Sequence, residues 1–163
     1  MKPTELLDLL REFYAGKLAL TRRHEAGARL VGQYDFNNTY QYVINREDAH
    51  LDWLRRAIAS TGGALPDEAP VPPAPQAGKG AAAEAAILED DSRLVGEFLD
   101  RWRPRVEQVT DSRQKIMLRV ILGEMLEQKR FFEQARAGRT DLLGRRTSPS
   151  KASGTVLATR WVE

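Results

Sequence analysis

The 163-residue chain has no cysteine. That absence removes disulfides, thiolate zinc sites, iron–sulfur clusters and cysteine nucleophiles together. Histidine is nearly as scarce: with only His24 and His50 present, catalytic and metal sites built on several histidines are excluded, and polar chemistry must lean on carboxylates, amides and tyrosines. No long hydrophobic run opens the chain. MKPTELLDLLREF carries Glu5, Asp8 and Glu12 among its first residues, so it reads as neither a signal peptide nor a transmembrane helix, and a cytoplasmic protein without a membrane partner is expected. A strong excess of one charge is also missing. Twenty-five Lys and Arg against 23 Asp and Glu leave a net charge of +2, too little for the basic face of a dedicated nucleic-acid binder. What remains, 42% hydrophobic and 29% charged residues, is the balance of one ordinary globular domain.

Residues 3 to 61 have no proline after Pro3 and are rich in Leu, Ala, Arg and Glu. They read as two helices, with Gly27 and Gly32 marking the turn between them. GGALPDEAPVPPAPQAGKG, residues 62–80, then holds five prolines, which cannot continue a helix and favour extended geometry. Its GKG lacks the spacing of a phosphate-binding loop and reads as linker. A third helix is expected over Ala81 to Arg103, ended by Pro104. A fourth follows, capped by Thr110 with Asp111 in its first turn, and runs to Ala137, with Gly138 as the C-terminal stop. About 19 extended residues at ~3.1 Å each outspan a helix of roughly 45 Å. The pattern is therefore an all-α antiparallel four-helix bundle over residues 1–143, with one long crossover between helices 2 and 3. Residues 144–163, ending in TVLATRWVE, read as an extended tail. The tail suits a protein partner or exchange across a dimer, so a homo-oligomer, a dimer first, is the expected assembly.

Helical spacing then shows where polar residues interrupt apolar stripes. Helix 2 aligns Tyr40, Val43, Ile44, Glu47, His50, Leu51, Leu54 and Ile58. Helix 3 aligns Ile87, Leu88, Asp91, Leu94, Val95, Phe98 and Trp102, and helix 4 aligns Met117, Val120, Ile121, Glu124, Glu127 or Gln128, Phe131 and Ala135. Isolated buried carboxylates are costly, so these need cations, shared protons or a metal. Asp91 and Glu124 are level if the turn between helices 3 and 4 is centred at 107–108. The reflection of Glu47 through the first turn lands between residues 7 and 17, which includes Glu12. His24, beside Arg22 and Arg23, reads as a partner of the helix C-terminus. The alternative to a metal is a buried network of Glu47, His50, Tyr40 and arginines.

VINREDAHLDWLRRAIASTGGALP, residues 43–66, with its E-x-x-H, and ILGEMLEQKRFFEQA, residues 121–135, resemble segments of the ferritin-like superfamily, which includes rubrerythrins and bacterioferritins. The resemblance implies a ferritin-like bundle with a carboxylate-rich di-metal site. Carried over, Glu12, Glu47 and His50 form one half, and Asp91 and Glu124 the other. Glu127 stands where the second E-x-x-H would have its histidine, and Asp91 is shorter than the usual Glu. A modified site of this kind implies iron, or manganese or zinc, at a binuclear or mononuclear centre, and an oxidoreductase handling iron or peroxide. Tyr40, Tyr42 and Trp53 then become redox-active neighbours or plain packing. The rival expectation is a degenerate bundle without catalysis, serving as a structural or protein-interaction module. Iron storage in a shell is a third reading.

Overall fold

A computed structural model describes residues 1–67, 70–73 and 80–144. Its elements are four helices: α1 (Pro3–Ala28), α2 (Tyr34–Ser60), α3 (Ala81–Glu107) and α4 (Ser112–Arg136). No strand occurs among the described residues. The expected tail lies outside them except for Gly144.

Local chemistry explains most boundaries. Pro3 sits in the first turn of α1, where a missing N–H costs nothing. The Glu5 carboxylate accepts from the backbone N–H of Lys2 at 2.7 Å. At the start of α2, the Gln33 side chain accepts from the N–H of Phe36 at 2.7 Å. Gly62 and Gly138 adopt left-handed φ values of 76° and 86° just past α2 and α4. The returning bonds Gly63 N–H to Ile58 C=O and Arg139 N–H to Gln134 C=O, both 3.0 Å, close the two ends in the same way.

Two expected boundaries need correction. Pro104 does not end α3; the helix continues to Glu107 with the proline inside it. Val106 and Val109 are buried on that last turn and beyond it, and Arg105 is ion-paired to Glu12 of α1. These contacts outweigh one hydrogen bond lost near a helix end. The cap of α4 is Asp111 rather than Thr110, its carboxylate accepting from the N–H of Gln114 at 2.8 Å. Asp111→Ala should therefore cost about 1 kcal/mol of stability in urea unfolding. A change within experimental error would show that tertiary packing alone sets this helix start.

Helices α1 and α2 form one antiparallel hairpin and α3 and α4 another, joined along seams between α1 and α3 and between α2 and α4. The chain leaves α2 beside the beginning of α1, where the Arg11 side chain donates to the carbonyl of Ala64 at 2.8 Å. It enters α3 at the opposite end, where Glu84 accepts from the N–H of Gly32 at 2.8 Å. The connection between α2 and α3 therefore spans the bundle as a single crossover, an arrangement compatible with a ferritin-like fold.

The inward rows of α2 and α3 match the expectation: Tyr40, Val43, Ile44, Leu51, Leu54 and Ile58 are buried, as are Ile87, Leu88, Val95, Phe98 and Trp102. Phe13 of α1 packs edge-on to Phe98 and Trp102, with centroids 5.1 and 4.8 Å away. On α4 the row is turned. Leu118, Ile121, Leu122, Met125, Gln128, Phe132 and Ala135 face the core, whereas Val120 is exposed. Leu118, Leu122, Met125 and Phe132 make a stripe at least as apolar as the expected one, and burial follows the more apolar stripe. No helix among the described residues is long and apolar enough to cross a membrane.

Candidate functional site

The centre of the bundle is polar. Lys17, Arg23 and His24 of α1, Glu47 and His50 of α2, and Asp91 of α3 are all fully buried at 0% exposure, and Gln128 of α4 is at 2%. These groups sort into three layers. Along α2, at about 1.5 Å per residue, the layers sit at Tyr40, at Glu47 and at His50.

The middle layer belongs wholly to the first hairpin. Lys17 donates to one oxygen of Glu47, and His24 Nδ1 lies 2.9 Å from the other. Burial acts to raise the Glu47 carboxyl, but His24 and Lys17 outweigh it and hold its pKa at about 2. Glu47 is thus an ionised carboxylate, and the contacting His24 nitrogen is a donor. Burial lowers the pKa of Lys17 and Glu47 draws it back up. The ring's other nitrogen, Nε2, is buried and meets no hydrogen-bond partner among the described residues.

In the next layer Arg46 grips Glu124 with Nε at 2.9 Å and Nη2 at 2.6 Å, while His50 Nε2 lies 2.8 Å from the same carboxylate. Burial, with Lys17 nearby, depresses the His50 pKa to about 4 against the pull of Glu124. In the third layer the Tyr40 hydroxyl donates to Asp91, and Arg23 stands 3.2 Å from both Asp90 and Asp91. Burial and the adjoining carboxylate push the Tyr40 hydroxyl well above its usual value. Burial also raises Asp91, with His24 and Arg23 opposing. Gly27 makes room for this layer: a Cβ there would lie 3.0 Å from Asp91 and 3.2 Å from Arg23. Phe132 packs against both layers, 5.1 Å from the rings of His24 and Tyr40, which also meet each other edge-on at 6.4 Å.

Of the six residues expected to share a metal, Glu47, His50, Asp91 and Glu124 do reach the interior or its edge, but in three different layers. Asp91 and Glu124 are not level. The turn from α3 to α4 spans 108–111 instead of centring on 107–108, so Asp91 is level with residues more than a turn beyond Glu124; neighbouring Ser92 meets Glu133, at 3.5 Å. Glu12 faces outward and pairs with Arg101 and Arg105 of α3. Glu127 is exposed, with Arg130 at 3.5 Å. Among the described residues no group of three or more histidines and carboxylates is arranged to hold a metal ion. The residues do not fit a di-metal centre for a positive reason: Glu47, Asp91 and Glu124 are each already paired with cations or hydrogen-bond donors of the chain itself.

His24 corrects its expected role. It is a buried member of the middle layer, four residues before the helix end at Ala28. Lys17 was not anticipated at all, although its signal was present: it interrupts the row Leu10, Phe13, Leu20, and Glu47 reflected through Gly32 lands on it.

Set against known proteins, the chain matches no family model, no curated protein and no solved structure.

Proposed function

We propose that this protein is a ferritin-like bundle whose centre is neutralised from within, and that it acts as a metal-independent structural or interaction module. The observation that carries the reading is Lys17: its ammonium sits on Glu47 inside the bundle with neither side chain exposed. In carboxylate-rich bundles a cation must offset the buried negative charge. Here covalently attached cations do so in every layer, Lys17 for Glu47, Arg46 for Glu124 and Arg23 for Asp91. The competing reading, a modified di-metal oxidoreductase, is favoured by the E-x-x-H of Glu47 and His50 and by the carboxylate of Glu124 beside His50.

Metal exchange separates the two. Protein stripped with chelator and returned to Fe(II) in air, Mn(II) or Zn(II) should hold well under one metal per chain, and its melting temperature should not move. Lys17→Glu replaces the internal cation by a second carboxylate facing Glu47. That variant should be destabilised alone and rescued by Mn(II) or Zn(II), by about 2.7 kcal/mol at a concentration 100-fold above its dissociation constant. Two irons per wild-type chain with oxygen-dependent absorbance would overturn the proposal in favour of the oxidoreductase.

A further inference from the structure

The outward face of α4 carries a second regular stripe. Arg113, Ile116, Val120, Gly123, Glu127 and Arg130 recur at alternating steps of three and four residues, and all are exposed. That spacing lines up one face of a helix and is the spacing of a helix–helix seam. Ile116 is 61% exposed and Val120 43%, so the two apolar members are uncovered.

Gly123 is the informative member. Glycine weakens the middle of a helix relative to alanine, and the other three described glycines inside helices have a reason to be small. A Cβ on Gly16, Gly27 or Gly96 would lie 3.2, 3.0 or 3.1 Å from Phe98, Asp91 or Lys129. A Cβ on Gly123 would meet nothing within 4 Å. Beside it a cavity of about 480 Å³ opens between α3 and α4, lined by Pro104 and Leu122 together with Arg103, Glu107 and Arg119. The stripe thus offers an uncovered knob at Ile116 and an unfilled hole at Gly123.

The order of charges says what fills it. Along α4 and its cap the face reads acid at Asp111, base at Arg113, acid at Glu127 and base at Arg130. Turned end over end about Val120, this order meets its complement: Arg113 falls opposite Glu127, and Asp111 comes beside Arg130. The same turn carries Ile116 to Gly123 and its cavity. Laid parallel, every charge would face itself. Arg119, next to the axis, is held by Glu107 of α3 at 2.9 Å, which neutralises the one cation that would otherwise approach its own copy.

We propose that the exposed face of α4 docks a second copy of this chain, antiparallel about a two-fold axis beside Val120, with Ile116 of each copy seated at Gly123 of the other and Arg113 paired with Glu127 across the seam. The inference rests on the interaction-module reading above and gives that module its partner.

Sedimentation equilibrium of the full chain from about 5 μM to about 1 mM in low salt should show a reversible monomer–dimer equilibrium, since a seam of this size is small for an interface. Ile116→Asp should weaken the dimer at least about 100-fold without lowering the melting temperature of the monomer. Gly123→Gln fills the hole and should weaken the dimer about tenfold, yet raise the monomer's melting temperature. Arg113→Glu sets like charges across the seam and should also weaken it; adding Glu127→Arg should restore it, and salt should loosen the wild-type dimer. A chain that stays monomeric to about 1 mM, or a dimer indifferent to Ile116→Asp, would overturn the proposal. A charge swap without recovery would overturn the antiparallel register. Metal content separates this inference from the reading beneath it: a metal-free monomer sinks the inference alone, whereas a dimer holding two irons per chain sinks the metal-independent reading alone.

Discussion

Replacing Lys17 by methionine should destabilise the protein by about 3–5 kcal/mol, seen as a drop in melting temperature of roughly 10 °C or more and a lower urea midpoint at pH 7. Methionine keeps the length and apolar stem of lysine, so little volume is lost. What disappears is the cation. Glu47, at 0% exposure, would be left with His24 alone, and an ionised carboxylate in that position either stays uncompensated or takes up a proton, each at a cost. Adding Glu47→Gln to Lys17→Met removes the stranded charge and should restore most of the loss, because a neutral pair in a well-packed interior is often no less stable than an ionic one. A single-variant loss under about 1 kcal/mol would mean that water or another cation reaches Glu47, and that Lys17 is not its essential partner.

Lowering the pH should weaken the fold well before the carboxylates titrate. His50 takes a proton near its usual pKa of 6.5 when unfolded, but only at about 4 in the folded bundle. Between those values the unfolded state binds more protons, so stability is complete above pH 6.5 and falls as the pH drops towards 4. The full loss amounts to roughly 3 kcal/mol. Below the ordinary carboxylate range a second loss follows the same sign rule, since the Glu47 pKa lies at about 2 when folded and its stabilisation disappears as the pH descends from 4.5. His50→Gln retains a donor for Glu124 without titrating, and its urea stability should be flatter between pH 6.5 and 4.5 than that of wild type. Parallel curves for the two proteins would show that His50 is not the group responsible.

The architecture was legible because it rests on patterns that repeat. Pro3, Gly62 and Gly138 mark helix ends by backbone chemistry alone, and the prolines of residues 62–80 exclude a fifth helix wherever they fall. Pro104 shows the limit of that reasoning. A proline near a helix C-terminus forfeits little, and the partners that keep Arg105 and Val106 helical come from α1 and the core, beyond any local window. The centre was legible by halves. That Glu47, His50, Asp91 and Glu124 would interrupt apolar stripes follows from spacing, but which of them meet depends on helix rotation and on the height of each turn. A shift of two or three residues in the α3–α4 turn moved Asp91 away from Glu124 and gave it Arg23 and Tyr40 instead. Lys17 and the burial of His24 do not show in the carboxylate pattern, because charge balance in the interior asks first for cations. One lysine on the row facing Glu47 carries as much information as the E-x-x-H does.

The seams between the two hairpins carry charge in a fixed order. The first hairpin presents Glu12, then Arg23 and Arg46, and the second answers with Arg101 and Arg105, then Asp91 and Glu124. Leucines and valines repeat with every turn, so apolar faces slid past each other by one turn, about 5.4 Å, would still find apolar neighbours. Apart from Glu12, which meets Arg101 and Arg105 a turn apart, the charged pairs do not repeat. One slide would break Arg23–Asp91 and Arg46–Glu124 together and leave Arg23 and Asp91 alone in the interior. The pairs therefore act as a vernier between two otherwise forgiving surfaces: much of their worth lies in the wrong alignments they penalise, and a bundle with a uniformly oily centre would lose that ruler however stable it became.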